Sequence, residues 1–261
     1  MKIFAITNQK GGVGKTTTSV NLAAGLAGHG QRTLLVDLDP QANATMGSGV
    51  DKRALTRTVY HLLLGMSAFA EVRCSTPSGF DLLPSNRELA GAEIEMVDLD
   101  QRDFRLRQAL ESVKTSYDFV LIDCPPALNL LTVNALAAAT AVMIPMQCEY
   151  YALEGLSDLV TTIRKVRQSL NPVLEIEGLL RTMFDPRNTL ANQVSDQLVQ
   201  HFGRKVYNTV IPRNVRLAEA PSYGMPAMSF DKSAKGALAY EALAHEVMAR
   251  AGITTTRTEP A

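Results

Sequence analysis

Residues 7–18, TNQKGGVGKTTT, join a short apolar run, KIFAIT (2–7), to a stretch in which Val20, Leu22, Ala23, Leu26 and Ala27 recur at helical spacing. A glycine-rich turn from strand into helix constrains this chain more than any other feature. It leaves backbone N–H groups unpaired at a helix N-terminus, where the helix dipole favours an anion. Glycines let such a loop close round phosphate oxygens with no Cβ in the way. The phosphate-loop pattern G-x-x-x-x-G-K-[ST] ends on Gly14, Lys15 and Thr16, but Gln9 stands where its first glycine belongs, and an extra cation, Lys10, follows. The pattern gives Lys15 the β- and γ-phosphates of a nucleotide and Thr16 the role of Mg²⁺ ligand. Lys10, Gly11, Gly12, Val13, Gly14, Lys15, Thr16 and Thr17 form the expected nucleotide cradle.

Downstream, strand-like runs at 32–39, 79–84, 117–125, 141–146, 174–184 and 205–212 alternate with helical stretches, among them 102–115, 129–139, 153–169, 190–202 and 236–252. Continuous apolar strands separated by amphipathic helices predict an α/β fold: one mostly parallel twisted sheet with helices on both faces, the P-loop NTPase arrangement. With 46% hydrophobic residues, 261 residues suffice for one large core. The expected limits are a single domain over 1–252 and a polar tail over 253–261.

Ligands of such sheets bind beyond the carboxyl ends of the strands, where two aspartates fall. FVLID closes on Asp123, the pattern of a Walker B strand, whose carboxylate holds Mg²⁺ through water. LLVDLDP carries Asp37 and Asp39 and then breaks at Pro40. Asp39, farther out of the sheet, is expected to position the attacking water, with Asp37 behind it.

No apolar run approaches the ~18 residues of a membrane span, and the amino terminus lacks a secretory leader pattern. Cys74, Cys124 and Cys148 are far apart and without metal-like spacing, so they read as free thiols of a reducing compartment. Net charge is zero, which argues against a strongly basic nucleic-acid binder. Its distribution is uneven: residues 161–216 carry nine Lys and Arg against four Asp and Glu.

The blocks KGGVGKTT, DLDPQANAT, LIDCPP, PMQCEYYALEGL and IPRNVRLAEAPSYGMP together resemble the ParA/Soj chromosome- and plasmid-partitioning ATPases over about residues 2–250. These belong to the deviant Walker A class, which includes MinD and the nitrogenase iron protein. The resemblance implies an ATPase with ATP and Mg²⁺ as cofactors, in which Lys10 crosses a dimer interface to the phosphates of the partner's ATP. It implies that Pro212 and Asn214 meet the adenine end while Arg213 points elsewhere. It further implies an ATP-dependent homodimer that binds double-stranded DNA without reading sequence, for which Arg187, Arg213, Arg216, Lys232 and Lys235 are the candidates. A ParB-like centromere-binding protein would stimulate hydrolysis, and the setting would be cytoplasmic and nucleoid-associated.

The amino terminus begins almost directly with the first strand, with no helix-turn-helix before it, so operator binding is not expected. A MinD-like ATPase at a membrane surface, or a relative that positions a protein cargo, is the alternative. Membrane attachment would need a basic, bulky amphipathic C-terminal helix. The helix expected at 236–252 is instead rich in small residues and reads as core packing. A cluster-carrying relative would need cysteines shared across a dimer axis, and Cys124 alone is near enough to a switch to suggest it.

Overall fold

In the computed structural model, residues 1–150 and 152–253 are described. Eight strands form one sheet: β1 (Lys2–Ile6), β2 (Thr33–Asp37), β3 (Cys74–Ser75), β4 (Asp81–Leu83), β5 (Phe119–Asp123), β6 (Ala141–Gln147), β7 (Glu175–Phe184) and β8 (Val206–Pro212). Their order is β3-β4-β2-β5-β1-β6-β7-β8, and every pairing is parallel except β3 with β4. The seven expected strands are all present, six of them one to four residues shorter than the apolar run that marks them and β6 one residue longer. The antiparallel edge strand β3 is an addition, too short to show a period of two.

The first half of the chain supplies helices α1 (Lys15–Gly28), α2 (Asn43–Gly47), α3 (Val59–Leu63), α4 (Phe69–Val72), α5 (Leu89–Glu95) and α6 (Arg105–Glu111). The second supplies α7 (Leu130–Ala138), α8 (Ala152–Ser169), α9 (Thr189–Phe202), α10 (Val215–Glu219), α11 (Ala227–Phe230) and α12 (Lys235–Arg250). Side chains alternate across each central strand, so every strand feeds two cores. Ile3, Ala5, Leu34, Val36, Val120 and Ile122 face a core covered by α3 to α9. Phe4, Ile6, Leu35, Phe119 and Leu121 face the other, covered by α1, α2 and α10 to α12. Burial on both faces is why these strands read as unbroken apolar runs.

Tyr240, Leu243, Ala244 and Val247 of α12 lie in the second core, so the last long helix packs against the sheet as expected. Among the described residues no helix is long and apolar enough to cross a membrane. The expected tail lies outside the described residues apart from Ile253.

Parallel register brings the chemistry to one edge. Ile6 pairs with Asp123, and Asp37 pairs with Asp123, so the loops after β1, β2 and β5 leave the sheet side by side.

Candidate nucleotide-binding site

The loop between β1 and α1 turns at two left-handed glycines, Gly12 (φ 73°) and Gly14 (φ 88°), conformations that a side chain would strain. Gly14 caps α1, whose first residue is Lys15. The loop is held from below by β7, where the Thr182 hydroxyl donates to the Val13 carbonyl at 2.8 Å. Met183, the next residue, has φ 49° in a strand whose register against β8 slips between Arg181 and Phe184. A non-glycine residue in that region stores strain, here directly against the phosphate loop.

The two lysines of the loop face opposite ways. Lys15 is buried, and its Nζ donates to the Lys10 carbonyl at 3.1 Å, turned back into the mouth of the loop. Burial pushes its ammonium down from the usual lysine value, while Asp123, Cys124 and Asp39 pull it back. Lys10 stands half exposed and pairs with Glu149, just beyond β6, at 2.5 Å. Asn8 supports that geometry by accepting the Lys10 N–H at 3.0 Å and donating to the Pro145 carbonyl at 2.8 Å.

Below the loop, fully buried Asp123 accepts the Thr16 hydroxyl on one carboxylate oxygen and the Ser19 hydroxyl on the other, both at 2.8 Å. Asp37, its register partner, is equally buried. It accepts the Thr45 hydroxyl at 2.7 Å, the Thr45 N–H at 2.8 Å and the Asp39 N–H at 3.1 Å. Burial pushes both carboxyls up from the ordinary aspartate value, and for Asp123 the neighbouring Asp37 adds to the shift. A divalent cation beside Thr16 would relieve that accumulation of negative charge, so the donor set suits Mg²⁺.

Asp39 is only partly buried, at the start of a loop that its carboxylate helps to turn by accepting the Gln41 N–H at 2.9 Å. Ala42 in that loop is held at φ 55°. Asp37 thus anchors the loop, and Asp39 is the carboxylate the loop carries outward.

A cleft runs from Gly14 and Thr17 to Pro212 and Asn214 at the end of β8. Asn214 Oδ1 is buried without a hydrogen-bond partner, an orphan acceptor suited to an exocyclic amine such as that of adenine. Arg213, expected to point away, also lines this cleft while remaining exposed.

The five basic candidates are all exposed, but they are not equivalent. Arg187 hydrogen-bonds Asp185 and, with Arg213 nearby, holds that carboxyl down at about 2. Arg216 meets Glu219 at 2.8 Å and Asp231 at 3.5 Å. Among the described residues Arg213, Lys232 and Lys235 make no ion pair. Sequence reasoning missed Ser19, Glu149 and Thr182. Only Ser19 carried a local signal, one helical turn after Lys15 on the same face of α1. All three cysteines are free, and Cys124 and Cys148 are buried.

Residues 1–176 match the family described as AAA domain. Over 249 residues the chain is 54% identical to the sporulation initiation inhibitor protein Soj of Bacillus subtilis, covering 95% of this chain and 98% of that one. It is 49% identical over 253 residues to the chromosome partitioning protein ParA of Caulobacter vibrioides, covering 96% and 95%. A solved structure of cobyrinic acid a,c-diamide synthase from Mycobacterium smegmatis, with bound ATP analogue and magnesium, matches at a TM-score of 0.85. That match is 37% identical and covers 97% of this chain and 96% of the other.

Proposed function

This chain belongs to the ParA/Soj family of partitioning ATPases, and from that premise we propose that it hydrolyses ATP to cycle on and off DNA as a nucleotide-controlled dimer. ATP and Mg²⁺ are the cofactors. A Cβ at Gly11 or Gly12 would meet nothing within 4 Å, so both glycines border open space. Lys15 neutralises phosphate charge within its own subunit, Thr16 ligates the cation with Asp123 behind it, and Pro212 and Asn214 receive the base. When bound, Mg²⁺ draws charge off the β- and γ-phosphoryl oxygens. Asp39 orients the attacking water.

The observation that carries the reading is the opposed placement of Lys10 and Lys15 on one loop. An inward lysine suffices to hold phosphates. A second, half-exposed lysine in a surface ion pair costs little to release, since such pairs contribute ~1 kcal/mol or less. Lys10 is therefore free to leave Glu149 and reach the phosphates of a second subunit, where it stabilises the transferring group. Nucleotide and partner then become one interface, and dimerisation follows the ATP state. The dimer doubles the basic surface of Arg187, Arg213, Arg216, Lys232 and Lys235, which supports sequence-independent DNA binding, a nucleoid-associated, cytoplasmic protein and release when a ParB-like partner stimulates hydrolysis.

The test is light scattering on size exclusion, with and without Mg²⁺-ATP, paired with nucleotide binding. The parent should dimerise with ATP. Lys10→Ala should bind ATP and stay monomeric, whereas Lys15→Ala should lose ATP binding itself. Equal dimerisation by the parent and Lys10→Ala would contradict the role in trans.

A further inference from the structure

At the opposite end of α1 from the phosphate loop, two helices bring together side chains for which the nucleotide site has no use. His29, which caps the C-terminus of α1, lies with Nε2 2.7 Å from Glu241 Oε1 on α12. His245, one turn further along α12, brings its Nε2 to 3.9 Å from the same oxygen. The two imidazole rings are 4.2 Å apart between centroids and tilted by 51°. One ligand atom from each of the three residues lies within 4.8 Å of the other two.

This placement is fixed by the backbone. Gly25 lies four residues before His29 and so on the same face of α1. A Cβ at Gly25 would stand 2.8 Å from the Ala244 Cβ, so the glycine is what lets α1 and α12 approach this closely. Thr18 and Tyr240 join the same two helices by a hydroxyl pair at 3.0 Å. The His29 N–H is bonded to the Gly25 and Leu26 carbonyls, which anchors its Cα. Glu241 and His245, at i and i+4, share the facing side of α12.

A histidine–carboxylate ion pair needs one imidazole. A second ring packed beside the first adds nothing to that pair, and two cationic rings at this distance would repel. Two neutral imidazoles and a carboxylate are instead the donor set of a borderline divalent ion. We propose that His29, Glu241 and His245 bind a divalent transition-metal ion of the Zn²⁺ class, with one coordination position open to solvent.

Ligand bonds of about 2.0–2.2 Å put the corners of a tetrahedron about 3.3–3.6 Å apart. The Nε2 atoms of His29 and His245 stand 2.7 Å and 3.9 Å from Glu241 Oε1, either side of that spacing. His29 and Glu241 are held by the helix contact, while the His245 side chain, 48% exposed, is free to rotate inward. Mg²⁺ prefers oxygen ligands, so the nucleotide's own cation does not compete here. The fourteen residues of α1 separate the two cation sites by about 21 Å at 1.5 Å per residue. A bound ion would clip the end of α1 to α12 and raise stability by mass action.

Co²⁺ is the probe, titrated into the untagged, reduced, full-length chain in excess Mg²⁺ and followed by its visible d–d absorption. The parent should bind one Co²⁺ per chain with a tetrahedral spectrum free of thiolate charge-transfer bands, and Zn²⁺ should displace it. His29→Gln and His245→Gln should each weaken binding by about tenfold or more, the loss that follows even when a residue behind a ligand is removed. Both variants should keep the parental ATPase rate and metal-free melting temperature, which shows that they fold. No Co²⁺ uptake by the parent, equal uptake by the parent and both variants, or a thiolate spectrum would each overturn the assignment.

Discussion

Asp37 and Asp39 show how two carboxylates two residues apart divide their work. Asp37 is fully buried and spends its oxygens on Thr45 and on the Asp39 N–H. Asp39 is left partly exposed, with one oxygen turned to the Gln41 N–H. Only Asp39 is placed to meet a water. Asp39→Ala should bind Mg²⁺-ATP like the parent but lose turnover by about 10²–10⁴-fold, the range that one positioned acid–base group contributes. It should accumulate as an ATP-bound dimer. Phosphate release at the parental rate would remove Asp39 from the chemistry. Lys10, Lys15, Thr16, Asp39 and Asp123 could be named as candidates from the sequence because each stands in a contiguous motif at a strand end, while a role for Lys10 across an interface came only with the family resemblance. Glu149 was not, because it meets Lys10 across 139 residues of chain, and only the β1–β6 pairing brings them together. Asn214 was reachable only through the family resemblance; its orphaned oxygen is a fact of packing.

Elements long enough to show a period were visible in the same way. The strands that pair β5, β1 and β6 read as unbroken apolar runs because both faces are covered. The helices α2 to α5, α10 and α11, of four to seven residues, are shorter than the window in which a 3.6-residue repeat can be recognised. One contact between elements was invisible for another reason. β8 is an edge strand, and the Asn208 and Thr209 N–H groups turn from the sheet to Glu246 of α12 at 2.9 and 2.8 Å. Arg250 adds a third bond at 2.8 Å. Burial alone would raise the Glu246 carboxyl, but the bonds from Thr209, Asn208 and Arg250 outweigh it and hold it below its ordinary 4.5. A group depressed on folding contributes stability that is present above the unfolded value and is lost as pH falls through the folded one. Glu246→Gln should therefore cost about 1.5–3 kcal/mol at neutral pH, the range for hydrogen bonds to a charged group. Urea denaturation of both proteins should show that gap narrowing as pH falls below about 4.5. A gap unchanged down to pH of about 3.5 would mean that packing, rather than the ionised carboxylate, joins α12 to β8.

Across the molecule as a unit, zero net charge limits what one copy can do on DNA. Of the five basic candidates, Arg187 is answered by Asp185, and Arg216 by Glu219 and Asp231. Arg213, Lys232 and Lys235 remain to neutralise phosphates, too few for firm binding by a monomer. The proposed pairing of two copies through ATP would double that number. Each phosphate contact on duplex DNA steepens the fall of log affinity with log salt by about 0.9, so doubling the contacts roughly doubles the slope. Duplex binding should therefore require ATP, tolerate any sequence and vanish steeply as salt rises. Reversing Arg213 is an ambiguous test, because Arg213 also lines the nucleotide cleft. Lys232 and Lys235 lie outside that cleft, and Lys235 is the first residue of α12, where an acid suits the helix dipole. Lys232→Glu/Lys235→Glu should thus fold, bind ATP and dimerise while losing DNA. Asp231→Asn, which frees Arg216 from one of its two acids, should move the other way and tighten binding. The measurement is duplex affinity over a salt series for parent and both variants, with ATP, with ADP and without nucleotide. Equal binding in all three nucleotide states would separate DNA from the dimer, and parental affinity in the double lysine variant would place the DNA surface elsewhere.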